Sequence, residues 1–172
     1  MARFTNQAQL RYGNAVANSN IAVGEILEVL SATKTAVRNT YEQNDTITYI
    51  ISIVNSGNTA FTGITVSDNL GSYNFDTGTL VPLSYIPDTI KYYINGVLQA
   101  NPVVTAGPPL TVTGLSIPAN GNITIAYETA TNQFAPLGTG SVIRNTATIS
   151  GVGITPIEIT EEATSDSAPL LT

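Results

Sequence analysis

Lys34 and Lys91 are the two lysines of a 172-residue chain that contains no cysteine and no histidine. Lys34 alternates in phase with Leu30, Ala32 and Ala36, Asp68 with Ile64, Val66 and Leu70, and Asn145 with Ile143, Ala147 and Ile149. Successive side chains of a β-strand point to opposite faces, so if these apolar neighbours face a core, the three polar residues do too. A buried amine and a buried carboxylate are each costly unless paired, and burial favours the neutral amine and the protonated acid. Those are the protonation states an amide exchange requires. Neutral Lys34 would attack the side-chain carbonyl of Asn145 while Asp68 hydrogen-bonds that oxygen, ammonia would leave, and an isopeptide bond would remain. A plain Lys34–Asp68 salt bridge, or a strand twist that turns Lys34 outward, reads the same phase differently.

Composition removes most other chemistry. Without cysteine or histidine there are no disulfides, no imidazole general bases and none of the common zinc ligands, and no cofactor is expected. Charged residues are 10% of the chain and the net charge is −6, with the six basic residues scattered, so nucleic acid is not an expected partner. Asp45, Asp76, Glu128, Glu158, Glu161 and Glu162 supply carboxylates, but nothing aligns a pair for glycoside hydrolysis, and there is no Trp to stack sugars. The stretches "GITVSDNLG" and "PANGNI" lack the ligand order of a calcium loop, so no metal site is expected. No apolar run approaches the roughly 20 residues that span a bilayer, and "MARFTNQAQL" shows no apolar core of a Sec signal. The expectation is a non-enzyme that does not insert into membranes.

The elements that must hold Lys34, Asp68 and Asn145 read as strands almost throughout. "DTITYIISIVNSG" alternates Ile47, Tyr49, Ile51 and Ile53 against Thr46, Thr48, Ile50 and Ser52, with a Gly turn closing the run. Similar runs recur at 61–70, 88–94, 109–116, 122–128, 141–151 and 154–162. Asn95-Gly96 in "YYINGVLQ" signals a hairpin with a type I′ turn. "GEILEVLSATKTAV" could pass for a helix in isolation, but its surroundings make it a strand. The pattern predicts an all-β, immunoglobulin-like β-sandwich, with a barrel as the alternative.

The chain opens with a variant of its own ending. Phe4, Asn6, Ala8 and Leu10 repeat the order of Ile143, Asn145, Ala147 and Ile149, and Glu25-Ile26-Leu27-Glu28 parallels Glu158-Ile159-Thr160-Glu161 after a connector about six residues longer. Each copy reads as one β-hairpin. The expected organisation is an N-terminal hairpin arm at 1–30, a sandwich at 31–165 and a C-terminal tail at 166–172. Asn6 matches Asn145, so a bond in trans from Asn6 to a neighbour's Lys34 is a second option.

The segment "YEQNDTITYIISIVNSGNTAFTGITVSDNLG", followed some seventy residues later by "VIRNTATIS", resembles the conserved-repeat family long catalogued as domain of unknown function eleven. The residues that carry the resemblance are Tyr49 to Gly57, Val66-Ser67-Asp68 and Asn145-Thr146-Ala147, and it covers about residues 30 to 164. It implies an immunoglobulin-like sandwich, usually arrayed on bacterial surface proteins. Single-repeat proteins of this kind resemble clostridial spore-appendage subunits. The Lys34, Asp68 and Asn145 arrangement is also similar to that of Gram-positive pilin and adhesin domains, which join a first-strand lysine to a last-strand asparagine beside an aspartate.

In an array, a repeat's closing hairpin leads into the next repeat. Residues 1 to about 30 read as such a hairpin with its own repeat deleted, expected to expose Phe4, Ala8, Leu10 and Ile26 with Val29 or Leu30. A lone hairpin is marginal in water, so the arm, including Asn6, is expected to dock on a neighbouring subunit's sheet edge, with folding back on its own sandwich as the alternative. Repetition of that contact gives a filament. The expected function is a self-assembling structural subunit of an extracellular or spore-surface filament, with an unidentified host or spore-coat anchor. The alternative is an adhesion module that binds a receptor or glycan through loops 72–87 or 101–108, near Tyr73, Phe75, Tyr85 and Pro87.

Overall fold

The computed structural model describes residues 2–26 and 29–166, built from strands joined by turns. Strands β1 (Ala2–Asn6), β2 (Gln9–Tyr12), β3 (Ala15–Asn18) and β4 (Ala22–Ile26) form the arm. The body follows with β5 (Leu30–Ala36), β6 (Thr40–Tyr41), β7 (Thr46–Asn55), β8 (Phe61–Asp68), β9 (Tyr73–Phe75), β10 (Gly78–Leu80), β11 (Leu83–Tyr85), β12 (Lys91–Ile94) and β13 (Val97–Leu98). It closes with β14 (Val103–Thr105), β15 (Leu110–Ile117), β16 (Gly121–Thr131), β17 (Val142–Ser150) and β18 (Ile157–Ser165).

Two six-stranded sheets and the small β9–β10 hairpin make the body. One runs β13-β12-β16-β7-β5, with β11 also pairing β16, and the other runs β14-β15-β8-β17-β18-β6. This is the expected β-sandwich. Alternation sets its core: Ile47, Tyr49, Ile51 and Ile53 of β7 and Ile123, Ile125 and Tyr127 of β16 face Ile64, Val66, Leu115, Ile117, Ile143, Ala147 and Ile149 of the second sheet, all buried. Each such aliphatic or aromatic side chain contributes about 1.5–3 kcal/mol relative to exposure. Asn95 and Gly96 both take positive φ, 48° and 79°, as a type I′ turn requires, and join β12 to β13.

Three boundaries differ from the sequence reading. The last strand starts at Ile157 and not at 154, because Gly153 at φ 80° turns the chain and the Ile154 amide bonds back to the Gly151 carbonyl. The strands at 40–41, 73–75, 78–80, 83–85 and 103–105 are too short to show a period. Leu30, expected in the arm, belongs to the body: it opens β5, pairs with Asn55 and packs half-buried on the core. The tail residues 167–172 lie outside the described residues.

The arm is one long hairpin, with β1 pairing β4, β2 pairing β3, and Gly13 at the tip with φ 56°. Its register is not that of its C-terminal counterpart. In β17–β18 Asn145 faces Glu161, whereas Asn6 faces Ala22. The longer connector is zipped into the hairpin as β2 and β3, so the sequence alignment of the two copies does not carry over to their pairing.

Candidate functional site

Six side chains meet between the sheets. Lys34, Tyr49 and Tyr127 come from the adjacent strands β5, β7 and β16, and Asp68, Asn145 and Glu161 from β8, β17 and β18 of the opposite sheet. Lys34 is 5% exposed, Asp68 1% and Asn145 0%, so the three polar residues singled out by their phase all face inward.

The turn after β8 fixes Asp68. The Asp68 Oδ1 accepts from the Leu70 amide at 2.8 Å, and the Asn69 Oδ1 accepts from Gly71 N and Thr146 N, each at 2.9 Å. The Asn69 amide in turn donates to the Thr146 carbonyl at 2.9 Å, so the turn is clipped to β17 one residue beyond Asn145. Gly71 is required here: its φ is 71°, and a Cβ would meet Ile143 Cγ2 at 2.6 Å.

The Lys34 Nζ donates to Asp68 Oδ2 at 2.6 Å and to the Asn145 backbone carbonyl at 3.0 Å, and lies 4.9 Å from the Tyr49 ring centre. The Tyr127 hydroxyl donates to the same Asp68 oxygen, and its ring stacks on Tyr49 with centroids 5.8 Å apart. Burial pushes the Lys34 amine below its ordinary value against the pull of Asp68 and Glu161. Burial, reinforced by the charge of Asp68, holds the Tyr127 hydroxyl well above its ordinary value, and burial likewise raises Tyr49. Glu161 is half-buried with Oε1 accepting from the Ala36 amide at 3.2 Å.

Neither side-chain atom of Asn145 nor the Tyr49 hydroxyl makes a well-formed hydrogen bond among the described residues, although the Asn145 amide lies near enough to the Tyr49 and Tyr127 hydroxyls to oppose part of their upward shift. A buried polar group left unpaired costs about 1–3 kcal/mol, so this amide calls for an explanation. It lies on the face of β17 that looks toward Lys34 and Asp68. The arrangement is an amine, a carboxylate joined to it by a hydrogen bond, and an amide without a well-formed hydrogen bond, screened from water.

The partners of the trio escaped the sequence reading. Tyr49 and Tyr127 showed their inward phase beside Ile47, Ile51, Ile123 and Ile125, and Glu161 shares a face with Ile157, Ile159 and Ala163. Nothing local says that these strands converge on one point.

The arm supplies a second feature. Every described side chain from Thr5 to Val23 is exposed, including Asn6, Ala8 and Leu10, and Leu10, Tyr12, Val16, Ile21 and Val23 keep 70%, 86%, 53%, 57% and 57% of their surface in solvent. The Phe4 and Ile26 side chains lie outside the described set. Register puts Leu10, Tyr12, Ala15 and Ala17 on one face and Gln9, Arg11, Val16 and Asn18 on the other. A shallow cleft of about 290 Å³ lies between the expected binding loops, lined by Leu70, Leu83, Tyr85, Pro108 and Asn132. The Asn132 amide is spent on Val81 O, Ser84 Oγ and Phe134 N.

Solved structures share this fold at low identity. The pilus backbone protein RrgB of Streptococcus pneumoniae superposes with a TM-score of 0.55 at 12% identity, over 70% of this chain and 31% of that one. BcpA, the major pilin subunit of Bacillus cereus, gives 0.52 at 14%, over 94% and 47%. The N-terminal domain of the Streptococcus gordonii adhesin Sgo0707 gives 0.53 at 15%, over 88% and 35%. The chain thus spans 31% to 47% of the length of these structures. No family model and no curated protein matches it.

Proposed function

We propose that the chain is a non-enzymatic structural subunit of an extracellular protein filament, which assembles by docking its N-terminal arm on a neighbouring subunit. The observation that carries this reading is the arm itself: described side chains from Thr5 to Val23 all lie in solvent, although a two-stranded hairpin is marginal alone. Each large apolar side chain it buries contributes about 1.5–3 kcal/mol, and several together offset the entropy lost on association. Arm and acceptor are different surfaces, so the contact is heterologous and propagates. The spore surface is the address that the motif resemblance supports.

The buried trio hardens the subunit. Lys34 passes a proton to Asp68 along their 2.6 Å hydrogen bond. The freed amine attacks Cγ of Asn145, and the protonated carboxyl stabilises the developing oxyanion. The carbon–nitrogen bond of the amide breaks, and the departing nitrogen takes a second proton from the former amine and leaves as ammonia. A Lys34–Asn145 amide and a protonated Asp68 remain. The Asn145 amide, without a well-formed hydrogen bond, supports this reading over a plain salt bridge. The cleft supports a glycan-binding alternative less well, because the Asn132 amide is already engaged.

Electron microscopy of the purified protein tests the filament. Fibres from the full chain, and monomers on deletion of residues 1 to 20, are expected. A monodisperse full-length monomer would overturn the reading.

A further inference from the structure

We infer that the acceptor for the arm is the outer edge of β18, and that its occupant is the β1–β2 edge of the arm of a second copy of this chain. This rests on the filament reading and names the surface that the reading needs.

Outside β17, β18 forms a strand ladder only at Thr164 and Ser165, which pair with Thr40 and Tyr41 of β6, and β5 of the opposite sheet lies beside it without a ladder. The Thr164 amide donates outward, to the Asn39 carbonyl. Backbone direction alternates along a strand, so Glu158, Thr160 and Glu162 present their N–H and C=O groups to the same open side. The seam between this edge and β5 is floored by the half-buried Leu30, Ala32, Ile154, Ile157 and Ile159. The Glu161 carboxylate takes the Ala36 amide, which ties the two edges at that point, and no backbone ladder joins β5 to β18.

The remaining edges fit less well. β13 offers two residues and β14 three, too short to fix a register, and β5 (Leu30–Ala36), the other long edge, borders the same seam but carries no acid to meet the arm's arginines. The unpaired stretch of β18 runs from Ile157 to Ala163, about 23 Å of strand. Charge complements it. Residues 2–23 carry Arg3 and Arg11 and no acid, whereas β18 carries Glu158, Glu161 and Glu162 and no base. Arg144 pairs with Glu162 at 3.0 Å, but Arg11 and Glu158 have no ion-pair partner among the described residues. The arm strand also repeats the side-chain order of β17, the strand that β18 already accepts on its other side.

Three full-length chains test the inference by sedimentation and electron microscopy: the wild type, an acceptor-blocked Thr160→Pro chain, and a donor-blocked chain with Leu10→Asp and Tyr12→Asp. The Thr160 N–H points away from β17, so proline there spares the β17 ladder and gives up only the hydroxyl contact with Thr146. The wild type should form fibres, each variant alone should stay monomeric, and a one-to-one mixture should give heterodimers and nothing longer. Thr160→Pro chains that polymerise like the wild type would overturn the β18 edge and leave the filament standing. A mixture that stays monomeric would also overturn the edge, and a monomeric wild type would overturn the filament itself. If Thr160→Pro melts far below the wild type, Glu158→Arg replaces it. That variant should cut assembly at least tenfold at low salt, and unchanged assembly would overturn the inference.

Discussion

Replacing Asn145 with alanine separates a cross-linked core from an ion-paired one by the sign of the stability change. An amide joining Lys34 to Asn145 closes a loop of 111 residues. By the loop-entropy relation for covalent cross-links, that constraint stabilises the fold by about 5 kcal/mol. For a chain of this length each kcal/mol moves Tm by about 2–4 °C, so Asn145→Ala should lower it by about 10–20 °C. Without the bond, the same substitution only deletes two buried polar atoms that make no well-formed hydrogen bond. Their burial costs about 1–3 kcal/mol each, so Tm should hold or rise. Intact mass and calorimetry on the same samples decide: the wild type should be one ammonia lighter than its sequence, and the variant should have its full mass. A wild type of full mass and a variant at least as stable would refute the covalent reasoning and leave the salt bridge.

The Asn145→Ala chain cannot cross-link, so it keeps Lys34 titratable. Burial lowers the folded amine below 10.5, so the unfolded state binds more protons in the window beneath that value and stability rises with pH there. Above 10 the sign reverses, because burial holds the Tyr41 hydroxyl up to about 12 and Tyr127 is raised as well. Denaturation midpoints at about pH 7, 9 and 11 should rise and then fall, and a fall between the first two would contradict this. Gly71→Ala forces a side chain into a positive φ and against Ile143, so it should cost about 2–4 kcal/mol in denaturant titration. Tyr127→Phe keeps the stacked ring but removes a donor to Asp68, and should cost about 2 kcal/mol by the same measurement.

The sequence carried the sandwich because strand alternation is a local property. Ile47, Tyr49, Ile51 and Ile53 announce their buried face with no partner named, and Asn95-Gly96 announces its turn. The same alternation placed Lys34, Asp68 and Asn145 on inward faces, so their burial was legible as well. Their convergence was not. It depends on β5 lying at the edge of one sheet across from β8 and β17 in the other, and on the Asn69 clip that holds the Asp68 turn against Thr146. Tyr49, Tyr127 and Glu161 joined the site for that reason alone. The arm shows the opposite case. Its hairpin was readable, but its register was not, because Ala15–Asn18, which look like connector in sequence, gain more by pairing with Gln9–Tyr12 than by staying open. Periodicity fixes which way a side chain points, whereas pairing and packing across tens of residues decide what it meets.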